Sequence, residues 1–259
     1  MKEVPVFSTK PFLTTAICDG NLPVPQDNGI LIRVMVASSK PKDYKHLYAT
    51  GVSINSGDDI AGYVHGLGKM AALGNEFKIG DRVAASHPMM APGGTSAEYA
   101  VAPTETTLLI PDGIDFESAT KIPLTTLAAI LALFRRQSLL PPWMKRSPNA
   151  PLMPLIIYGA SSALRTYASL LVESTCYVKK LLDSKLGDAS WITISQILSP
   201  GGTVSTENYD ESKIPADINI SYSFVGSAHF GAFKPSMPRQ PQDAKNTAAD
   251  IDFAYVMFR

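Results

Sequence analysis

The sequence predicts an α/β protein, with a small barrel-like β domain first and part of a doubly wound parallel sheet after it. Three observations carry that reading. The first hundred residues alternate short apolar segments with Gly, Asp and Pro turns, the strand density of a small barrel. Beyond residue 111 the punctuation thins and helical periodicity takes over. Then P-L-I-I-Y-G-A-S-S-A-L-R-T-Y-A, Pro154–Ala168, reads as a buried strand, a tight turn and the start of a helix.

Taken in order, G-I-L-I-R-V-M-V-A-S-S at Gly29–Ser39 has the alternation of a strand. I-A-G-Y-V-H-G-L-G at Ile60–Gly68 is a second, bent by its glycines. F-K-I-G-D-R-V-A-A at Phe77–Ala85 sets a Gly-Asp turn before a third, and S-A-E-Y-A-V-A-P at Ser96–Pro103 is a fourth. Turn and N-cap residues fill P-D-G-I-D-F-E-S-A-T at Pro111–Thr120, and a helix follows through Phe134. The proline-rich Leu139–Pro154 reads as an extended connection. After the strand and turn, a helical pattern runs through Lys185. Ser190–Ser205 is then a helix stopped by Pro-Gly-Gly and followed by a strand. The tail ends in an apolar helical pattern, F-A-Y-V-M-F-R.

Composition narrows the function. The 259 residues, 45% hydrophobic, suffice for one or two packed domains. With 23 basic and 23 acidic side chains there is no basic excess to attract nucleic acid. Cys18 and Cys176 lie far apart and form no disulfide framework or zinc knuckle. The N-terminal M-K-E-V-P-V-F-S-T-K lacks the apolar core of a signal peptide. No apolar run approaches the roughly 18 residues of a membrane span, the most apolar being Leu124–Phe134. A soluble protein with no membrane partner, located in the cytoplasm, is expected.

The strongest chemical signal is the turn after Tyr158. Backbone N–H groups and small hydroxyls at a helix N-terminus stabilise a phosphate, while an ordinary strand-to-helix turn explains the same residues. Arg165 stands where a nucleotide fingerprint carries a later glycine. An acid about 20 residues further on is expected to hold the ribose, but Lys179, Lys180 and Asp183 fall there in a helical pattern. K-P-K-D-Y-K at Lys40–Lys45 reads as a solvated turn or as a ligand-facing loop. Asp58 and Asp59, without convergent His or Cys partners, read as structural and not as metal ligands. His46, His65, His87 and His229 show no ligand spacing.

Seven segments occur in one order: I-R-V-M-V-A-S-S-K-P-K-D-Y-K, G-D-D-I-A-G-Y-V, F-K-I-G-D-R-V, G-G-T-S-A-E-Y, P-D-G-I-D-F-E-S-A-T-K-I-P-L-T-T, Y-G-A-S-S-A-L and I-L-S-P-G-G-T-V. Together the chain resembles the medium-chain dehydrogenase/reductase superfamily, its zinc-free enoyl reductase and quinone oxidoreductase branch, and within that the fungal trans-acting enoyl reductases of polyketide pathways. The resemblance implies a GroES-like β-barrel domain over residues 1–113 and an incomplete Rossmann domain over 114–259. It implies NADPH as cofactor, a small-molecule or acyl-carrier-bound enoyl substrate, a polyketide synthase partner, no metal, and a monomer or homodimer. Cofactor contacts then fall on Lys42, Asp43, Tyr44, Lys45, Ser161, Ser162, Ala163, Leu164, Arg165, Thr166 and Tyr177. The substrate channel falls on the helix start Thr126, Leu127, Ala128, Ala129, Ile130, Leu131, Ala132 and Leu133, and on a strand Phe224, Val225, Gly226, Ser227 and Ala228. Tyr44 and Lys45 are the candidates for a catalytic role. Zinc-dependent relatives carry a cysteine in the first loop and a histidine–glutamate pair in the second, where this chain has Lys-Asp-Tyr and Asp58–Asp59.

Against that pattern three segments are expected to be missing: the second Rossmann strand after Thr175, the middle strands after Ala189, and the return to the catalytic domain after Arg259. Without the second strand, NADPH binding is expected to be weak or lost. A catalytically inactive remnant and a non-catalytic interaction module are the alternative functions.

Overall fold

The computed structural model describes residues 1–9, 11–144, 147, 149, 154–158, 163–173, 178–182, 203–206, 216, 219–222, 225–229 and 244–259. The chain divides into two units, Met1–Leu124 with Gly226–Arg259, and Thr125–Val225.

The first unit opens with two short antiparallel pairs over residues assigned to no element from sequence. Lys2–Glu3 (β1) pairs with Cys18–Asp19 (β4), and Val6–Thr9 (β2) with Phe12–Thr15 (β3). Gly29–Ser38 (β5) is followed by the helix Lys42–Thr50 (α1), the strand Asp59–Leu67 (β6) and the short helix Lys69–Gly74 (α2). Arg82–Ser86 (β7), Tyr99–Pro103 (β8) and Thr107–Leu109 (β9) complete an antiparallel sheet in the order β8-β5-β6-β7-β9. The four strands expected from alternation are all present. The third begins directly after the expected Gly-Asp turn, where Gly80 sits at φ +93°.

Connectivity curls this sheet. Its two edges, β8 and β9, are joined only by the 3-10 turn Thr104–Thr106. In a flat five-stranded sheet the edges would lie about 19 Å apart. Four residues reach at most about 14 Å even when fully extended, so the sheet must bend back on itself, which is the barrel-like closure expected. Bending brings β5 and β6 close, with register shifts at Leu31/Ile32 and Val34/Val36. At Gly62 a Cβ would collide with the Arg33 carbonyl, so no larger residue fits. Inside lie Ile30, Ile32, Ile60, Val64, Phe77 and Val83, all nearly solvent-free. The opposite face buries Ala61 and Ala84 under Ile110 and Ala119, the two-residue period at work.

Phe116–Ala119 (α3), capped by the Asp115 carboxylate on Ser118 N–H, leads to Pro123–Ile130 (α4). The helix then widens over Leu131–Arg136, where Gln137 N–H donates to the Ala132 carbonyl five residues back at 3.0 Å. The 21-residue stretch Phe116–Arg136 that these elements make up is long and apolar enough to cross a membrane by length and composition, yet mostly buried within the protein. Charged residues such as Glu117 and Lys121 break the stretch, so no unbroken apolar run of that length occurs in the sequence.

In the second unit Pro154–Tyr158 (β10) is followed by Ala163–Glu173 (α5). The expected helical run through Lys185 is overturned: Val178–Leu182 (β11) is a strand, parallel to β10 in the register Pro154↔Val178 to Tyr158↔Leu182. Thr203–Thr206 (β12) and Asn219–Tyr222 (β13) form a second parallel pair. The second strand is therefore present, built from V-K-K-L-L, whose two lysines had masked a short β-strand. Ser190–Pro200 and the supposed gap after Ala189 lie outside the described residues.

The boundaries 1–113 and 114–259 are corrected as well. The segment from Gly226 belongs to the first unit, and the helix Ala244–Met257 (α6) packs on the turn Thr104–Thr106. Arg259 fastens it: Nε and Nη2 donate to Glu76 Oε2 at 3.0 and 2.6 Å, Nη1 to the Thr107 carbonyl at 3.0 Å. The guanidinium also lies over the rings of Phe77 and Tyr255, 4.9 and 4.6 Å from their centroids. Hydrogen bonds from Arg259, and then Tyr255, hold the Glu76 carboxyl below its usual pKa. The return to the first unit, expected to be missing, is made by these last residues.

Arg259→Ala should lower stability by about 1–2 kcal/mol in urea unfolding, from one partly exposed charge-assisted pair and its ring contacts. The Glu76 share should fade as pH falls below about 4.5, because a depressed carboxyl pKa stabilises only while ionised. No loss in Arg259→Ala would mean that the clasp holds nothing.

Candidate functional site

K-P-K-D-Y-K is neither turn nor loop beyond its first two residues. It opens α1, with Pro41 preceding the first turn and Gly51, at φ +73°, ending the helix by donating to the Leu47 carbonyl. Those are ordinary start and stop signals, and they were legible in Pro41, Asp43 and Gly51. The Asp43 carboxylate reaches back to accept from Lys40 N–H at 2.7 Å, and Ser56 Oγ donates to the Asp43 carbonyl at 2.6 Å.

Beneath this turn lies a buried group of charges. Asp58 and Asp59 are each 1% exposed. Lys42 pairs with Asp58 and, at 3.1 Å, with Asp43; Lys40 pairs with Asp59. Asp59 Oδ1 also accepts from Leu124 N–H at 2.9 Å, capping the entry of α4. Burial raises the pKa of Asp58 from 3.8 to about 6, with Lys42 opposing the rise, and raises that of Asp59 against the pull of Lys40. For Asp58 this corresponds to roughly 3 kcal/mol against the ionised form. The lysine partners tie both carboxylates to the start of α1. Among the described residues no group of three His, Cys, Asp or Glu side chains is placed to hold a metal.

Two histidines adjoin the cluster. His87 is buried, with Nδ1 2.6 Å from the Val101 carbonyl and Nε2 3.1 Å from that of Ala91. His229 Nε2 lies 3.2 Å from the Ser86 carbonyl. Desolvation lowers both pKa values, that of His229 to about 4, and keeps the rings neutral.

The expected cofactor residues thus separate by environment. The side chains of Lys42 and Asp43 are turned into the protein, at 20% and 12% exposure. Tyr44, half exposed, and Lys45, exposed, face solvent. In the second unit Ala163 and Thr166 are exposed and Leu164 is half-buried at the start of α5, where Arg165 occupies a helical position. Ser161, Ser162 and Tyr177 lie outside the described residues.

Of the expected substrate residues, Leu127, Ala128, Ala129, Ile130, Leu131 and Leu133 are core, while Thr126 and Ala132 keep some surface. Thr126 Oγ1 is itself buried with no hydrogen-bond partner, an orphan that needs a reason. Val225–Ala228 is a 3-10 turn and not the strand expected. Gly226 and Ala228 are buried, and Phe224 lies outside the described residues.

Two aspartates side by side should respond oppositely to substitution. Asp59→Ala strips a buried N–H and a lysine of their partner at once, and should cost about 3–5 kcal/mol. Asp58→Asn should be neutral or stabilising at neutral pH. A raised carboxyl pKa adds stability below about 4 that is lost as pH rises through about 6. The advantage of Asp58→Asn should therefore grow from about pH 4 to 7 in thermal unfolding, and equal losses for both variants would refute the distinction.

Residues 26–112 match the alcohol dehydrogenase GroES-like domain. The chain is 33% identical over 187 residues to the trans-enoyl reductase fsr4 of Gibberella fujikuroi, covering 66% of this chain and 54% of that protein. It is 34% identical over 164 residues to the trans-enoyl reductase ccsC of Aspergillus clavatus, covering 60% and 44%. It thus spans about half the length of the curated relatives it matches. A mycobacterial protein solved in complex with NADPH shares the fold, with a TM-score of 0.63 at 14% identity, over 99% of this chain and 88% of that one. A GroES-like domain, a Rossmann-like unit of parallel strands and trans-enoyl reductases as sequence relatives make this chain similar to the fungal enoyl reductases of the medium-chain dehydrogenase/reductase superfamily.

Proposed function

We propose that this chain is an NADPH-dependent reductase of a conjugated enoyl thioester or enone, acting beside a polyketide synthase in fungal secondary metabolism. One observation carries the reading: β10, α5 and β11 form a strand–helix–strand unit with parallel strands. In such units a phosphate binds at the helix N-terminus beyond the first strand. The names of the fungal relatives, trans-enoyl reductases, support the substrate class, and the mycobacterial neighbour's NADPH supports the cofactor. Weak binding was expected because a second strand was missing; β11 removes that ground.

The residues present fit such a cofactor. Small residues, Gly159–Ser162, precede an eleven-residue helix whose first residue is exposed, and Lys45 offers an exposed ammonium. When bound, NADPH would supply the hydride to the β-carbon of the substrate. In the second unit the N–H groups opening α5 would hold phosphate oxygens; in the first unit the Lys45 ammonium and the Tyr44 phenol would each offer a donor to an anionic ligand. The Thr126 hydroxyl, lacking a partner of its own, would donate to the substrate carbonyl oxygen, a bond that strengthens as negative charge develops there. With lysines as partners of Asp58 and Asp59, the reaction is read as zinc-free, and elemental analysis should find no stoichiometric zinc.

Calorimetric titration with NADPH should give a micromolar dissociation constant, weakened about tenfold in Lys45→Gln by the loss of one charge-assisted bond. No binding at millimolar cofactor would favour the interaction module instead.

Thr126→Val should separate stability from activity. Removing an orphaned buried hydroxyl should leave the fold as stable or about 1 kcal/mol more so. The rate of NADPH consumption with an α,β-unsaturated acyl thioester should fall by about tenfold or more. An unchanged rate would take Thr126 out of the reaction.

A further inference from the structure

We infer that Asp58 is a positioning residue for the ligand-facing turn: by drawing Lys42 inward it sets the first turn of α1 so that Tyr44 and Lys45 point outward. The inference rests on the proposed cofactor reading and divides the four expected contact residues into two that hold the turn and two that meet the ligand.

The geometry is specific to that turn. Pro41 makes no side-chain cap for α1, so the first turn takes its orientation from below. Lys42 is held by Asp58 and Asp43, Asp43 holds the Lys40 N–H, and Ser56 holds the Asp43 carbonyl. Every one of these ties acts on residues 40 to 43. The next two, Tyr44 and Lys45, are exposed. In a helix, adjacent residues point about 100° apart, so fixing Lys42 inward fixes where its two successors point.

A buried ion pair is a poor source of stability, since desolvation offsets its attraction, and is better explained where it specifies a geometry. The charged groups facing Asp58 are Lys42 and Asp43 from α1 and Asp59 from β6, with Lys40 reaching Asp59. Because its carboxyl titrates near 6, the hold on Lys42 should be present above that pH and slacken below it.

The test uses the whole chain and two readouts. Acetylation read by mass spectrometry gives the ratio of Lys42 to Lys45 modification, and calorimetry gives the NADPH dissociation constant. In the wild type at about pH 7.5 Lys42 should be protected roughly tenfold relative to Lys45, and the protection should fall at about pH 5. In Asp58→Asn the ratio should rise to near one at both pH values, and NADPH should bind about three- to tenfold more weakly with no loss of thermal stability. Should Asp58→Asn fold poorly, Lys42→Gln should weaken NADPH to the same degree. An unchanged Lys42 ratio in Asp58→Asn, or a released Lys42 with unchanged NADPH affinity, overturns the inference. Absence of NADPH binding by the wild type refutes the cofactor reading, and positioning then stands or falls on the Lys42 ratio alone.

Discussion

A single carboxylate, Asp59, stands where three elements of the first unit meet. It begins β6, its Oδ1 receives the Leu124 N–H that opens α4, and its Oδ2 takes the ammonium of Lys40, which precedes α1. A buried carboxylate has no water to satisfy its oxygens, so it can sit there only if each partner arrives at a fixed place. The start of the central strand β6, the helix carrying the exposed Tyr44 and Lys45, and the entry to the long apolar helix are therefore held in one geometry by one side chain. Asp58, one residue earlier, makes a looser arrangement whose partner is also the first residue of α1.

The same neighbourhood explains why the expected contact residues behave differently. Sequence resemblance treats Lys42, Asp43, Tyr44 and Lys45 as one cluster. Packing separates them, since a helix turns its side chains through about 100° per residue and only one side of this turn meets Asp58. Burial also silences His87 and His229 as acids, because a neutral ring is the form that desolvation favours.

Much of the first unit could be read directly. Ile30, Ile32, Ile60 and Val83 recur at strand spacing, and the alternation located their strands to within a few residues. Pro41 and Gly51 mark the ends of α1, but the three lysines of Lys40–Lys45 suggest a solvated turn in the sequence. Strand β11 was missed for a related reason: V-K-K-L-L has no period-two pattern, and five residues pair with β10 through backbone groups that any sequence possesses. Neither the ion pairs of Asp58 and Asp59 nor the docking of Arg259 on Glu76 could be foreseen, since they join residues 16 to 183 positions apart. The orphan hydroxyl of Thr126 likewise becomes visible only once its surroundings are packed.

The tail's attachment has a consequence for how this molecule comes into being. Because α6 and Arg259 belong with residues 1–124, the first unit is discontinuous, and the second is an insertion between its parts. During synthesis the curled sheet emerges first but lacks the cover that Tyr255 and Arg259 bring to Glu76 and Phe77. Contacts of such long sequence separation form late and slowly, so a nascent chain must hold the sheet incomplete while the inserted hundred or so residues are made. By the same token, a single backbone cut within the insertion would not free the tail, whose hold on the first unit is made by packing, hydrogen bonds and the Arg259–Glu76 ion pair.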